Sequence, residues 1–71
     1  MNGRCDAVCE NDSAVYIFEF KMESNGCADD ALRQIDTNRY ADPYLASGKN
    51  IVKIGVVFSG KSRSITEYKV S

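Results

Sequence analysis

The chain predicts one domain of the mixed α/β class, more narrowly α+β, in which a mixed sheet of order β-β-α-β-β carries a crossover helix. Three observations lead there. Short runs rich in β-branched and aromatic residues flank one stretch of helical periodicity, and polar breaks separate the elements. The length, 71 residues with 44% hydrophobic and 27% charged side chains, suits a single small core without repeats or linkers.

Residues 4–9 give a first short strand, and Glu10-Asn11-Asp12-Ser13 reads as a hairpin turn into a second strand over 15–21. Met22-Glu23-Ser24-Asn25-Gly26 then breaks the pattern and offers polar residues for a helix start. From 27 to about 40, Ala28, Ala31, Leu32 and Ile35 recur at helical spacing, with Asp29 and Asp30 in the first turn, where the macrodipole favours negative charge. Pro43, preceded by Asp42, is expected to end that helix, because proline disfavours helical backbone before it and has no amide to donate. Residues 44–50 are expected as a loop with Gly48 at a tight turn. Tyr40 and Tyr44 are assigned to packing, with stacking on a base as the alternative. Residues 51–58 form a β-branched strand, 59–62 a turn, and 64–70 a last strand with Thr66, Tyr68 and Val70 on one side. The strands before and after the helix should lie parallel, joined by a right-handed crossover. One sheet face is then covered and the other is not, so homodimerisation, with exchanged strands as one route, is expected.

The second strand carries the chemistry. In Tyr16-Ile17-Phe18-Glu19-Phe20-Lys21 a carboxylate and an ammonium interrupt an apolar run, and the period of two puts Glu19 and Lys21 on one face, about 7 Å apart. Folding back at the hairpin brings Asp6 to the same face. Two converging carboxylates and a lysine are what metal-assisted phosphodiester hydrolysis requires, because hard oxygen ligands hold Mg²⁺ or Mn²⁺. The lysine either stabilises charge on the phosphate or orients and deprotonates the attacking water. The plain alternative is a Glu19–Lys21 salt bridge at a sheet edge.

Gly3-Arg4-Cys5-Asp6, Val15-Tyr16-Ile17-Phe18-Glu19-Phe20-Lys21, Ala31-Leu32-Arg33-Gln34-Ile35, Tyr40-Ala41 and Ile54-Gly55-Val56 together resemble the PD-(D/E)xK nuclease superfamily over nearly the whole chain. The closer likeness is to the nuclease-like domain at the C-terminal end of bacterial proteins that begin with an AAA-ATPase-like domain. The resemblance implies a restriction-endonuclease-like core, a nucleic-acid substrate (DNA) and Mg²⁺ or Mn²⁺ as cofactor. It implies Asp6 and Glu19 as metal ligands, joined by the Phe20 backbone carbonyl. Lys21 would be the catalytic lysine and Gln34 an accessory glutamine on the helix. Gln34 falls at the edge of the apolar stripe, from where its amide could reach the active face; the alternative is an exposed helix-surface glutamine. The family's N-terminal helix and first strand have no counterpart before Arg4, so residues 1–71 read as a partial nuclease-like domain.

Three cysteines and no histidine exclude a paired disulfide framework and a zinc site, and with no signal peptide or long apolar run the economical setting is a reduced cytoplasm without a membrane. The cysteines read as small packing residues or bystanders. Net charge is −1 but uneven: residues 1–36 hold three basic and eight acidic side chains, residues 37–71 six basic and two acidic. That division suits a metal site beside a phosphate track, or is ordinary solvated surface.

Gly55-Val56-Val57-Phe58-Ser59-Gly60-Lys61-Ser62 is a literal match to the phosphate-binding loop of nucleotide hydrolases, yet its interior belongs to a strand and no helix follows. Gly60 to Arg63 is better spent on a hairpin turn. Two functions remain: a metal-dependent nuclease domain, and a non-catalytic interaction or oligomerisation module that keeps the nuclease scaffold.

Overall fold

The computed structural model describes residues 7–71, so Asp6 and Cys5 lie outside the described residues. The elements run β1 (Ala7–Glu10), β2 (Ala14–Met22), a 3-10 turn (Glu23–Asn25), α1 (Ala28–Thr37), a second 3-10 segment (Asp42–Ser47), β3 (Asn50–Ser59) and β4 (Ser64–Val70). The sheet order is β1-β2-β3-β4, with β1 and β4 antiparallel to their neighbours and the central pair β2/β3 parallel. The expected β-β-α-β-β order and the crossover between parallel strands are therefore both present. Asn11 makes the first turn: its Oδ1 accepts from the amides of Ser13 and Ala14, at 2.8 Å each, so the side chain stands in for a backbone turn.

The crossover helix buries Ala28, Ala31 and Ile35 against the sheet, where Val15 and Ile17 of β2 are fully enclosed. Because paired residues of parallel strands share a face, the ladder Val15–Ile51, Ile17–Lys53, Glu19–Gly55 and Lys21–Val57 defines the helix-covered side. A bulge between Val57 and Phe58 resets β4, pairing Val57 with Glu67 and Phe58 with Ile65. Glu67 thereby reaches the helix start, where its Oε1 accepts from the Ala28 amide at 3.2 Å, and Lys69 donates to both oxygens of Asp29 at 2.9 and 3.0 Å. Hydrogen bonding and charge from Asp29 raise the Lys69 pKa above its ordinary value.

The helix ends earlier than Pro43 predicts. Its last residue is Thr37, and Arg39 turns left-handed at φ 57°. The Arg39 amide returns to the Asp36 carbonyl and the Tyr40 amide to that of Ile35, at 3.1 Å each, which is the Schellman pattern. Tyr40 then packs in the same core as Ile35, supplying the apolar contact that usually accompanies this motif. Pro43 instead sits in the first turn of the 3-10 segment, where a loop was expected, and Gly48 at φ 77° closes it. Tyr44 packs against the core as well, so both tyrosines take the packing role.

Cys27 caps α1 and, like Cys9, is exposed, so neither is a packing residue. The Cys27 amide and thiol both donate to Asp30 Oδ2, at 2.9 and 3.3 Å, and Arg33 bonds Oδ1 at 2.8 Å. These contacts, the Cys27 amide foremost, hold the Asp30 carboxyl below the usual carboxylate range. A depressed acid pKa means that the stabilisation is complete above the unfolded-state value and is lost as pH falls through the folded one. Asp30→Asn should thus melt lower than wild type at neutral pH, with the two curves converging at the acid end of a melting-temperature series. A constant gap across that series would refute the assignment.

The uneven charge becomes internal stitching. Lys49 pairs with Glu10, Lys53 with Asp36 and Lys69 with Asp29, each joining the basic half to the acidic half across the fold. With Arg39 paired to Asp42, four of the six basic residues of the stretch 37–71 are committed to acids within the domain.

The opposite sheet face has no covering element among the described residues. Phe20, Met22, Phe58, Ile65, Tyr68 and Val70 are exposed there, Tyr68 at 68% and Val70 at 59%. An open apolar hollow of about 430 Å³ lies among Phe20, Met22, Val56, Phe58 and Ile65, bordered by Lys21.

Candidate functional site

Glu19 is the charged side chain that the described core buries, at 5% exposure on the helix-covered face. It sits on β2, a strand with neighbours on both sides, where the described pairing with β1 ends at Phe18 and that with β3 continues to Met22. Lys21 is half-buried two residues on, on the same side by strand alternation, and forms no ion pair among the described residues. The Phe20 side chain between them points to the open face and is 47% exposed.

Gly55 explains how a carboxylate comes to be enclosed there. It pairs with Glu19 across the ladder, and a Cβ built on it would stand 2.6 Å from the Ala28 carbonyl oxygen and 3.0 Å from the Ala31 Cβ. The missing side chain lets α1 descend onto the sheet beside Glu19. Glu67 fixes the same helix start from the other side. The sequence assigned neither residue a role in seating the helix, although Gly55 stands in the Ile54-Gly55-Val56 segment of the resemblance. A signal was available for each: a glycine inside a β-branched strand marks a close backbone approach, and a helix opening on cysteine needs a donor-satisfying group from elsewhere.

Gln34 is half-buried on α1. Asp29 and Asp36 occupy the flank turned to β3 and β4, as their pairs with Lys69 and Lys53 establish. By helical spacing Gln34 falls on the flank opposite Asp29 and Asp36. Asp6 immediately precedes Ala7, which pairs with Phe18, the neighbour of Glu19.

Among the described residues no three His, Cys, Asp or Glu side chains converge on one point. The donor chemistry available is carboxylate oxygen, with Glu19 buried and both described thiols exposed away from the core. Hard oxygen donors fit Mg²⁺ or Mn²⁺ and do not suit a soft or tetrahedral metal. The loop-motif match dissolves in the structure: Gly55–Ser59 is strand, Gly60–Arg63 is a turn, and β4 follows directly.

A mixed four-stranded sheet with a helix crossing between its central parallel strands defines the class: an α+β domain consistent with a restriction-endonuclease-like core. Residues 1–68 match the PD-(D/E)XK nuclease superfamily, and the chain belongs to it. It is also 41% identical over 69 residues to an "Uncharacterized protein in vnfD 5'region" of Azotobacter chroococcum mcd 1. That match covers 97% of this chain but 13% of the relative, so the chain spans about an eighth of the relative's length. No solved structure matches the chain. No described helix is long and apolar enough to cross a membrane.

Proposed function

We propose that the chain is a metal-dependent nuclease domain that hydrolyses phosphodiester bonds in DNA. The observation that carries this reading is Glu19, a carboxylate at 5% exposure on an interior strand, two residues before Lys21, in a chain of the PD-(D/E)XK superfamily. Glu19 and Asp6 would hold Mg²⁺ or Mn²⁺, with the Phe20 carbonyl as a further oxygen donor. The ion supplies Lewis-acid polarisation of the phosphate and a more acidic bound water. Lys21 places a positive charge where negative charge gathers on the phosphate, in a partly desolvated position that strengthens its effect. Gln34 offers an amide, both donor and acceptor, to orient Lys21, water or phosphate. Enclosure by α1 beside Gly55 keeps bulk water from Glu19.

The test is a calorimetric Mn²⁺ titration of the chain and of Asp6→Ala, with plasmid nicking assayed on the same samples. Uptake and nicking in the wild type, both lost in Asp6→Ala, support the reading. Absence of uptake in the wild type would leave the second one, an interaction module that retains the scaffold.

That second reading draws on the uncovered sheet face, and the face bears on assembly in either case. We assign it to a second copy of the chain, because Phe20, Met22, Phe58, Ile65 and Tyr68 form a surface that a lone monomer would expose to water. Sedimentation is expected to give a dimer at micromolar concentration, and a monomer for Ile65→Ser/Tyr68→Ser. A stable wild-type monomer rules the assignment out. The relative's greater length leaves room for the AAA-ATPase-like domain that the resemblance implies, and exposed Cys9 and Cys27 suit a reducing cytoplasm.

A further inference from the structure

The described basic residues divide into two sets. Arg33, Arg39, Lys49, Lys53 and Lys69 each close an ion pair, whereas Lys21, Lys61 and Arg63 close none among the described residues. The second set is gathered at one end of the sheet. Lys21 pairs with Val57 near the end of β2, and β3 continues only to Ser59 before the Gly60–Arg63 turn. This is the end at which parallel strands β2 and β3 finish, the usual side for ligands in sheets with crossover helices.

The turn is anchored. The Met22 methyl lies 3.1 Å from where a Cβ on Gly60 would stand, so the turn rests on the last residue of β2. The Ser62 amide donates to the Oγ of buried Ser59 at 3.2 Å, and the Ser62 and Ser64 hydroxyls are 2.7 Å apart. Arg63 is left-handed at φ 56°, and both Lys61 and Arg63 are exposed. Two cations thus stand on an anchored turn, in no ion pair among the described residues, at the end of the sheet where Lys21 lies.

We propose that the Gly60–Arg63 turn is a clamp for the phosphate backbone of duplex DNA, with Lys61 and Arg63 gripping the strand presented to Lys21. The inference rests on the nuclease reading of Glu19 and Lys21. Three steps of strand lead from Val57 to Gly60, roughly 10 Å, which corresponds to about three phosphates of one strand projected on the duplex axis. The guanidinium of Arg63 suits two-point contact with phosphate oxygens, and Lys61 adds a mobile point charge.

The experiment measures anisotropy of a short fluorescein-labelled DNA duplex without divalent metal, over a series of NaCl concentrations. Three chains are compared: wild type, Lys61→Ala/Arg63→Gly, and Lys49→Ala/Lys53→Ala. Glycine suits the left-handed backbone at 63, and the second variant removes the same charge from residues already paired. The turn variant is expected to flatten the log-affinity against log-salt slope by about 1.8, from two lost phosphate contacts, while the paired-lysine variant keeps the wild-type slope. Equal slopes for the two variants would falsify the clamp, as would a wild-type chain that binds no duplex. Mn²⁺ uptake and plasmid nicking are scored separately, so a chain that takes up metal and nicks but keeps its slope in the turn variant loses the clamp and retains the nuclease reading.

Discussion

Glu19→Gln is expected to eliminate Mn²⁺ uptake and plasmid nicking together, whereas Lys21→Ala keeps the uptake and loses the nicking. The amide matches the carboxylate in shape, so the packing beneath α1 survives; what disappears is the formal charge that a hard cation requires. Disturbing groups that merely support a ligand costs metal affinity about 10- to 100-fold, and neutralising a ligand should cost more than that. Lys21→Ala removes a charge that acts on the developing phosphate, a loss on the order of 10² to 10³ in rate with metal affinity little changed. Melting gives an independent readout. At a Mn²⁺ concentration of 100 times its Kd, linkage adds about 2.7 kcal/mol to the wild type, on the order of 10 °C or more for a domain this small. Glu19→Gln should gain nothing from the metal. A variant that still gains would move the metal site off Glu19, and a Lys21→Ala chain that nicks at the wild-type rate would make that lysine structural.

What the sequence disclosed depended on how local each signal was. Strand β4 occupies the expected residues 64–70 because alternation and the Gly60 turn are written within a dozen positions. The end of α1 was misplaced because the visible stop, Pro43, is not the operative one: a Schellman turn formed at Arg39, a residue type that does not advertise left-handed backbone. The charge stitching of Lys49, Lys53 and Lys69 was hidden for another reason. Glu10 and Lys49 lie 39 residues apart, and only the finished strand order makes them neighbours. Glu19 stood out in the sequence because it breaks an apolar run, and a carboxylate in a strand interior carries a cost that asks for an explanation. The depth of its burial was not legible, since that depends on how closely α1 approaches Gly55.

Gly55→Ala tests that approach, and its sign is the informative part. Glycine inside a strand ordinarily weakens it, so replacement by alanine at an unconstrained site stabilises by about 0.4–1 kcal/mol. Here the new methyl would meet the Ala28 carbonyl oxygen at 2.6 Å, the Ala31 Cβ at 3.0 Å and the Leu32 Cγ at 3.3 Å. The first of these is helix backbone and cannot swing aside. Helix α1 must lift, stretching the Glu67 bond to the Ala28 amide and the Lys69–Asp29 pair that dock its first turn. Overpacking of this kind costs about 1–3 kcal/mol, against the 3–5 kcal/mol or less that a core of this size supplies. Urea unfolding is therefore expected to shift to lower concentration for Gly55→Ala, and Gly55→Val should not fold. Gly60→Ala is the matched control, because its nearest obstacle at 3.1 Å is the end of the flexible Met22 side chain, which can move. Equal or greater stability in Gly55→Ala would mean that α1 stands further from the sheet and that something other than helix contact encloses Glu19. A destabilised Gly55→Ala that also takes up Mn²⁺ less tightly would tie the two properties together, since the glycine that admits the helix lies across the ladder from the carboxylate that the helix covers.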